Sequence, residues 1–279
     1  MKSKSSSLPH REANSAVDLQ ERQFGLSRRA VVVRLAWFSA AALVLLPVSR
    51  AGAQLQKLYE DLTGTAAAKR LVIVFADVSG SIPAEDWAIY AETYKNRLTS
   101  LKGGDRLILA KIAEDSLGSF APAIDRTLAD TGRLRPDRTD HEKAQVELND
   151  AFEKLRSAPP AKATLILDAL TLAQQLIEQD QTRRPQIIIL SDMLEYSHIA
   201  NFEKSSVGAK EADRLIERQK KQGLLPNLHG AEVFVAGAKA PKSEKFAEVQ
   251  AFWLRYFKEA GAVCEAGMYG RPALSFTTR

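Results

Sequence analysis

The chain has 279 residues, 45% of them hydrophobic and 26% charged, a balance that suits one α/β globular domain or two small ones and excludes a disordered chain. The formal net charge is +5, but eight of the 39 basic residues and only three of the 34 acidic ones fall in residues 1–53, which leaves 31 of each sign beyond Ala53. The body is therefore neutral, and electrostatics gives no support to a nucleic-acid-binding surface.

Residues 1–53 read as a targeting segment. A polar and basic stretch leads into "LSRRAVVVRLAWFSAAALVLLPVSRAGAQ", whose mainly apolar run from Leu35 to Val48 ends in a small-x-small site, Ala51-Gly52-Ala53, before Gln54. Ser27-Arg28-Arg29 resembles the bacterial twin-arginine signal, although Val31 and Val32 stand where that signal prefers Phe and Leu, and Arg34 interrupts the apolar run. The expectation is an exported, periplasmic protein. If the segment stays uncleaved, Ala30 to Val48 is nearly long enough to anchor the chain in the inner membrane, and that would be the chain's sole membrane contact. Residues 54–69 read as a linker and 70–279 as the folded domain. Cys264 is the single cysteine, so no intrachain disulfide can form.

From Leu71 the pattern alternates. The apolar run Leu71–Ala76 predicts a first strand, followed by a helix with Trp87, Tyr90, Tyr94, Leu98 and Leu101 on one face, closed by Gly103-Gly104. Leu107–Ala113 predicts a second strand. Residues 115–138 are less legible; after them Ala144, Leu148, Phe152 and Leu155 form a helical stripe that stops at Pro159-Pro160. "ATLILDALTLAQQLIEQD" predicts another helix, with Asp168 in its exposed first turn. The continuous run Ile187–Leu190 is what a strand covered on both faces looks like, so it belongs at a sheet centre. A charged helix (Lys210–Gln222), a strand at Val233–Val235, a helix presenting Phe246, Val249, Trp253 and Phe257, and a final strand near Val263–Met268 complete the series. This alternation implies an α/β fold: a doubly wound, mostly parallel central sheet flanked by helices, of the Rossmann-like kind.

In such a sheet ligands bind at the carboxyl ends of the strands, and the first strand ends on Asp77-Val78-Ser79-Gly80-Ser81. Alternate residues in an extended loop point to one side, so Asp77, Ser79 and Ser81 offer a carboxylate and two hydroxyls together. That is a hard oxygen site suited to Mg²⁺ or Mn²⁺ rather than zinc or copper. Three groups do not fill an octahedron. Asp192, after the Ile187–Leu190 strand, and Thr164, just ahead of a helix, are the further candidates.

Together these residues resemble the von Willebrand factor A (VWA) domain and its metal-ion-dependent adhesion site. The family places Asp-x-Ser-x-Ser after the first strand, a threonine before a later helix and an aspartate after a hydrophobic fourth strand. Asp77, Ser79 and Ser81, Thr164 in "TLILDAL", and Asp192 in "IIILSDM" match in that order, over roughly residues 70–270. The resemblance implies that Ser79, Ser81 and Thr164 coordinate the cation directly and that Asp77 and Asp192 act partly through waters. It also implies an open coordination position filled by an Asp or Glu carboxylate from a protein partner. The implied function is cation-dependent protein binding, for adhesion or assembly, without catalysis. One departure is Met193, where many members have glycine.

Two alternatives stay open. A Mg²⁺-dependent phosphatase-like hydrolase would use Asp77 as nucleophile, but it needs a second carboxylate two residues on, where Ser79 stands. A VWA scaffold that binds no metal is the other. Glu114, Asp115, Glu195, Tyr196 and His198 also follow predicted strands, and as solvated loop residues they need no role. The four histidines are scattered, without metal-ligand spacing.

Overall fold

The computed structural model describes residues 68–80, 82–113, 120–130 and 138–276. The targeting segment, most of the linker, Ser81, Glu114 and Asp115 lie outside them. Among the described residues no helix is long and apolar enough to cross a membrane.

Six strands form one sheet: β1 (Arg70–Asp77), β2 (Arg106–Ile112), β3 (Ile124–Thr127), β4 (Arg184–Leu190), β5 (Glu232–Ala236) and β6 (Tyr269–Gly270). Their order is β3-β2-β1-β4-β5-β6. All neighbours run parallel except β2 and β3. Five helices are described: α1 (Ala84–Thr99), α2 (Arg138–Arg156), α3 (Ile166–Gln179), α4 (Ala209–Lys221) and α5 (Ser243–Glu259).

The twofold periodicity of a strand divides the core in two. Leu71, Ile73 and Phe75 of β1 face the layer built from α3, α4 and α5, together with Ile187, Ile189, Val233 and Val235. Val72, Val74 and Ala76 face α1 and α2, where Tyr90, Tyr94 and Leu98 meet Ala144, Leu148 and Phe152. Tyr94 stacks on Phe152 with ring centroids 4.7 Å apart and donates its hydroxyl hydrogen bond to the Leu148 carbonyl at 3.0 Å. The α/β, doubly wound expectation therefore holds, and β4 is central, as its uninterrupted apolar run implies.

Three details differ from the sequence expectation. The stretch 115–138 contains β3, a four-residue antiparallel edge strand whose half-buried Ile-Asp-Arg-Thr pattern carries little hydrophobic signal. The last strand is not at Val263–Met268: Val263 forms only an isolated bridge to Glu232, and β6 follows a 3₁₀ turn at Ala266–Met268. Helix α1 ends at Thr99, before the glycine pair; Gly104, at φ +85°, makes the turn into β2 instead.

Candidate metal centre

The sheet order reverses between β1 and β4: β2 and β3 lie to one side, β5 and β6 to the other. The crevice beyond the carboxyl ends of these two strands is where an open α/β sheet binds ligands. β1 ends on Asp77, and the register Ala76↔Leu190 sets Asp77 opposite Ser191, the residue after β4.

Asp77 has no solvent exposure. One carboxylate oxygen accepts from the Ser79 amide at 2.9 Å, and the other accepts from the Ser191 hydroxyl at 2.9 Å. The Ser191 hydroxyl in turn accepts from the Met193 amide at 3.0 Å. Ser191 is a site residue that the sequence reading missed, although its place between an apolar strand and Asp192 was a signal. Burial raises the proton affinity of Asp77, and the hydrogen bonds from Ser79 and Ser191 oppose that rise.

Asp192 is 8% exposed, and its Oδ1 accepts from the Leu194 amide at 2.9 Å. Burial pushes its pKa up to about 7; the Leu194 hydrogen bond and the Lys239 charge pull downward, and the charges of Asp77 and Glu203 push upward. Among the described residues neither Asp77 nor Asp192 forms an ion pair. Lys239 pairs instead with the buried Asp86 of α1, while its amide donates to the Asp192 carbonyl at 3.2 Å.

Thr164 arrives by backbone pairing. Residues 161–164 are stitched on one side to the Asp77 loop, with Ala161 N–H to Val78 O at 2.9 Å and Gly80 N–H to Ala161 O at 3.4 Å. On the other side Thr164 and Tyr196 exchange both backbone hydrogen bonds, at 3.2 and 2.9 Å. Ser79, Thr164 and Asp192 are thus carried by three interlocked loops above Asp77, and Ser81 lies outside the described residues. Thr164 does not cap α3: the residue flanking the helix is Leu165, with no side-chain cap.

Tyr90 closes the floor. Its buried hydroxyl has no hydrogen-bond partner, and burial, then the charges of Asp77, Asp192 and Asp86, hold its proton tightly. Gly237, at φ +93°, permits this placement, since a Cβ there would sit 2.4 Å from Tyr90 Cε1. Among the described residues no group of three or more His, Cys, Asp or Glu is placed to hold a metal. A cation at this crevice would therefore depend on hydroxyl donors beside the two carboxylates.

The rim departs from the sequence expectation at Glu195 and Asp168. Met193 adopts a left-handed backbone, φ +69°, and buries its side chain completely. Its carbonyl accepts from Trp253 Nε1 of α5 at 2.9 Å. Glu195 is not a solvated loop residue. It is fully buried, and its Oε2 accepts from the Ile166 amide at 2.8 Å and the Leu167 amide at 3.2 Å, the first free donors of α3. Burial pushes its pKa up to about 8 against the opposing pull of Ser197 and the two amides, with Asp168 adding a smaller upward push. Asp168 itself is half-buried rather than exposed.

Replacing Met193 by glycine tests the balance at that position. Loss of the buried side chain costs about 2–5 kcal/mol and relief of the left-handed backbone returns about 1–2, so Met193→Gly is expected to destabilise by roughly 0–4 kcal/mol in urea unfolding. A stabilised variant would contradict the burial. Glu195 gives a pH dependence. Its folded pKa lies above the ordinary glutamate value, so the stability it contributes is fully present below about 4.5 and is lost as pH rises through about 8. Wild-type stability is expected to fall between pH 5 and pH 8.5 by on the order of a few kcal/mol more than that of Glu195→Gln. Parallel pH profiles would refute the buried carboxyl.

No family model matches the chain, and no curated protein matches it. Solved structures similar to it include two of the von Willebrand factor A and adhesin kind. One is a von Willebrand factor type A protein from Catenulispora acidiphila, at 13% identity and a TM-score of 0.35, with 70% of this chain and 43% of that chain covered. The other is the pilus adhesin SpaC from Lactobacillus rhamnosus GG in its open conformation, at 14% identity and a TM-score of 0.40, with 71% and 28% covered. The chain spans less than half the length of either. Both likenesses are weak, and the α/β assignment stands on the sheet order itself.

Proposed function

We propose that the chain is a VWA-type binding module that captures a carboxylate of a protein partner through a divalent cation, Mg²⁺ or Mn²⁺, held by Asp77, Ser79, Ser81, Thr164 and Asp192. The observation that carries this reading is the pair of buried aspartates at adjacent strand ends across the switch point, each outside any ion pair among the described residues, with Ser79 and Thr164 stitched above them. Two desolvated carboxylates, with the charge of Asp77 adding to the raised proton affinity of Asp192, are what a bound cation would relieve. A cation held largely by neutral hydroxyls supplies residual positive charge, which attracts an external Asp or Glu. The described residues orient and desolvate that position, and each oxygen of Asp77 accepts a hydrogen bond that holds the carboxylate in place. Binding rather than turnover is the reading proposed. Export by the N-terminal segment, with adhesion or assembly outside the cytoplasm, belongs to the same proposal.

The test is the thermal midpoint of the full-length chain in chelator against millimolar Mg²⁺ or Mn²⁺, for the wild type and Asp77→Ala. Binding contributes about 2.7 kcal/mol when the ion stands at 100 times its dissociation constant, roughly 5–10 °C for a domain of this size. The wild type is expected to shift, and Asp77→Ala to fold without shifting. Absence of a shift in the wild type would favour the metal-free scaffold, and turnover of a phosphate ester would favour the hydrolase.

A further inference from the structure

We infer that Glu195 is a positioning residue for this centre: by capping α3 from a different loop it spares the Thr164 hydroxyl for the cation. The inference rests on the cation reading above. A threonine just ahead of a helix ordinarily spends its hydroxyl on the free amides of the first turn. Here the N-cap position is Leu165, which has no side-chain oxygen, and the amides of Ile166 and Leu167 are taken by Glu195 at 2.8 and 3.2 Å. The reach of Glu195 is fixed from behind, because its own carbonyl accepts from the Phe202 amide at 2.8 Å. Tyr196, the next residue, pairs both ways with Thr164. The loop that carries Asp192 thus holds the Thr164 segment by its backbone on one residue and satisfies the helix start with the side chain of the one before. With the amides satisfied, Thr164 is 5% exposed and uncommitted to the cap.

Removing the Glu195 carboxyl leaves two amides of α3 without an acceptor, and the nearest hydroxyl in sequence able to replace it is that of Thr164. The cation would then lose a ligand to the helix. Glutamine keeps an acceptor oxygen at the same reach, whereas methionine keeps the length and volume without one.

The experiment titrates Mn²⁺ into the full-length chain and reads the bound ion by electron paramagnetic resonance, for wild type, Glu195→Gln, Glu195→Met, Thr164→Val and the Glu195→Met/Thr164→Val double variant. Glu195→Gln is expected to bind as the wild type does, and Glu195→Met to bind about 10–100-fold more weakly, the usual effect of losing a partner that orients a metal ligand. The double variant is expected to bind no more weakly than Thr164→Val alone, because both changes remove the same ligand. Wild-type affinity in Glu195→Met, or independent losses that multiply in the double variant, would overturn the inference. If Glu195→Met does not fold, Glu195→Asp, one methylene too short to reach the amides, is read in its place against the same outcomes. A wild type that binds no Mn²⁺ overturns the cation reading itself, and the inference with it.

Discussion

A carboxylate without solvent exposure, Asp77, stands at the end of the central strand β1, and its desolvation sets the terms for its surroundings. A buried charge is tolerated only when hydrogen bonds or an opposite charge compensate it. Two hydrogen bonds are supplied, from the Ser79 amide and the Ser191 hydroxyl. The second crosses from β1 to β4, so the compensation of Asp77 also pins together the two strands between which the sheet order reverses. Asp192 then arrives one residue after Ser191 and adds a second buried acid to the same crevice. The nearby lysine, Lys239, directs its ammonium to Asp86. Among the described residues the crevice is left short of positive charge, with buried acids on two adjoining strand ends and a tyrosine hydroxyl without a hydrogen-bond partner nearby.

The surrounding fold keeps that arrangement rigid. The Asp77 loop, the segment before α3 and the loop after β4 are joined by backbone hydrogen bonds, so a displacement of one is a displacement of all three. From the α3–α5 layer, Trp253 reaches up to the Met193 carbonyl and ties α5 to the Asp192 loop. From the opposite layer, the Tyr90 ring of α1 passes against Gly237, where no side chain fits. Both helical layers thus end on the crevice, which is how a packed core transmits its rigidity to a site made of loops.

Much of this was legible in the sequence because the relevant signals are local. The runs at Leu71–Ala76 and Ile187–Leu190 mark strands buried on both faces, and polar residues directly after such runs fall at the carboxyl end of the sheet. Asp77, Ser79, Thr164 and Asp192 could therefore be placed without coordinates. What was not legible depends on contacts remote in sequence. β3 has a half-exposed edge pattern that only its pairing with β2 turns into a strand. β6 is two residues long and owes its existence to β5. Glu195 looked like a loop acid because nothing nearby in sequence shows that the amides of α3, twenty-nine positions earlier, need an acceptor. Met193 was visible as a departure from glycine, but its buried side chain belongs to the core it shares with Trp253, a contact remote in sequence.

The most direct measurement is an anomalous difference map from crystals of the full-length chain grown with Mn²⁺. A peak is expected among Asp77, Ser79, Thr164 and Asp192, with oxygen ligands at hard-cation distances and one position open to solvent or to a carboxylate. A map with no peak at that crevice would contradict the cation reading, and would leave the two buried aspartates as acids held by their serine and backbone partners alone.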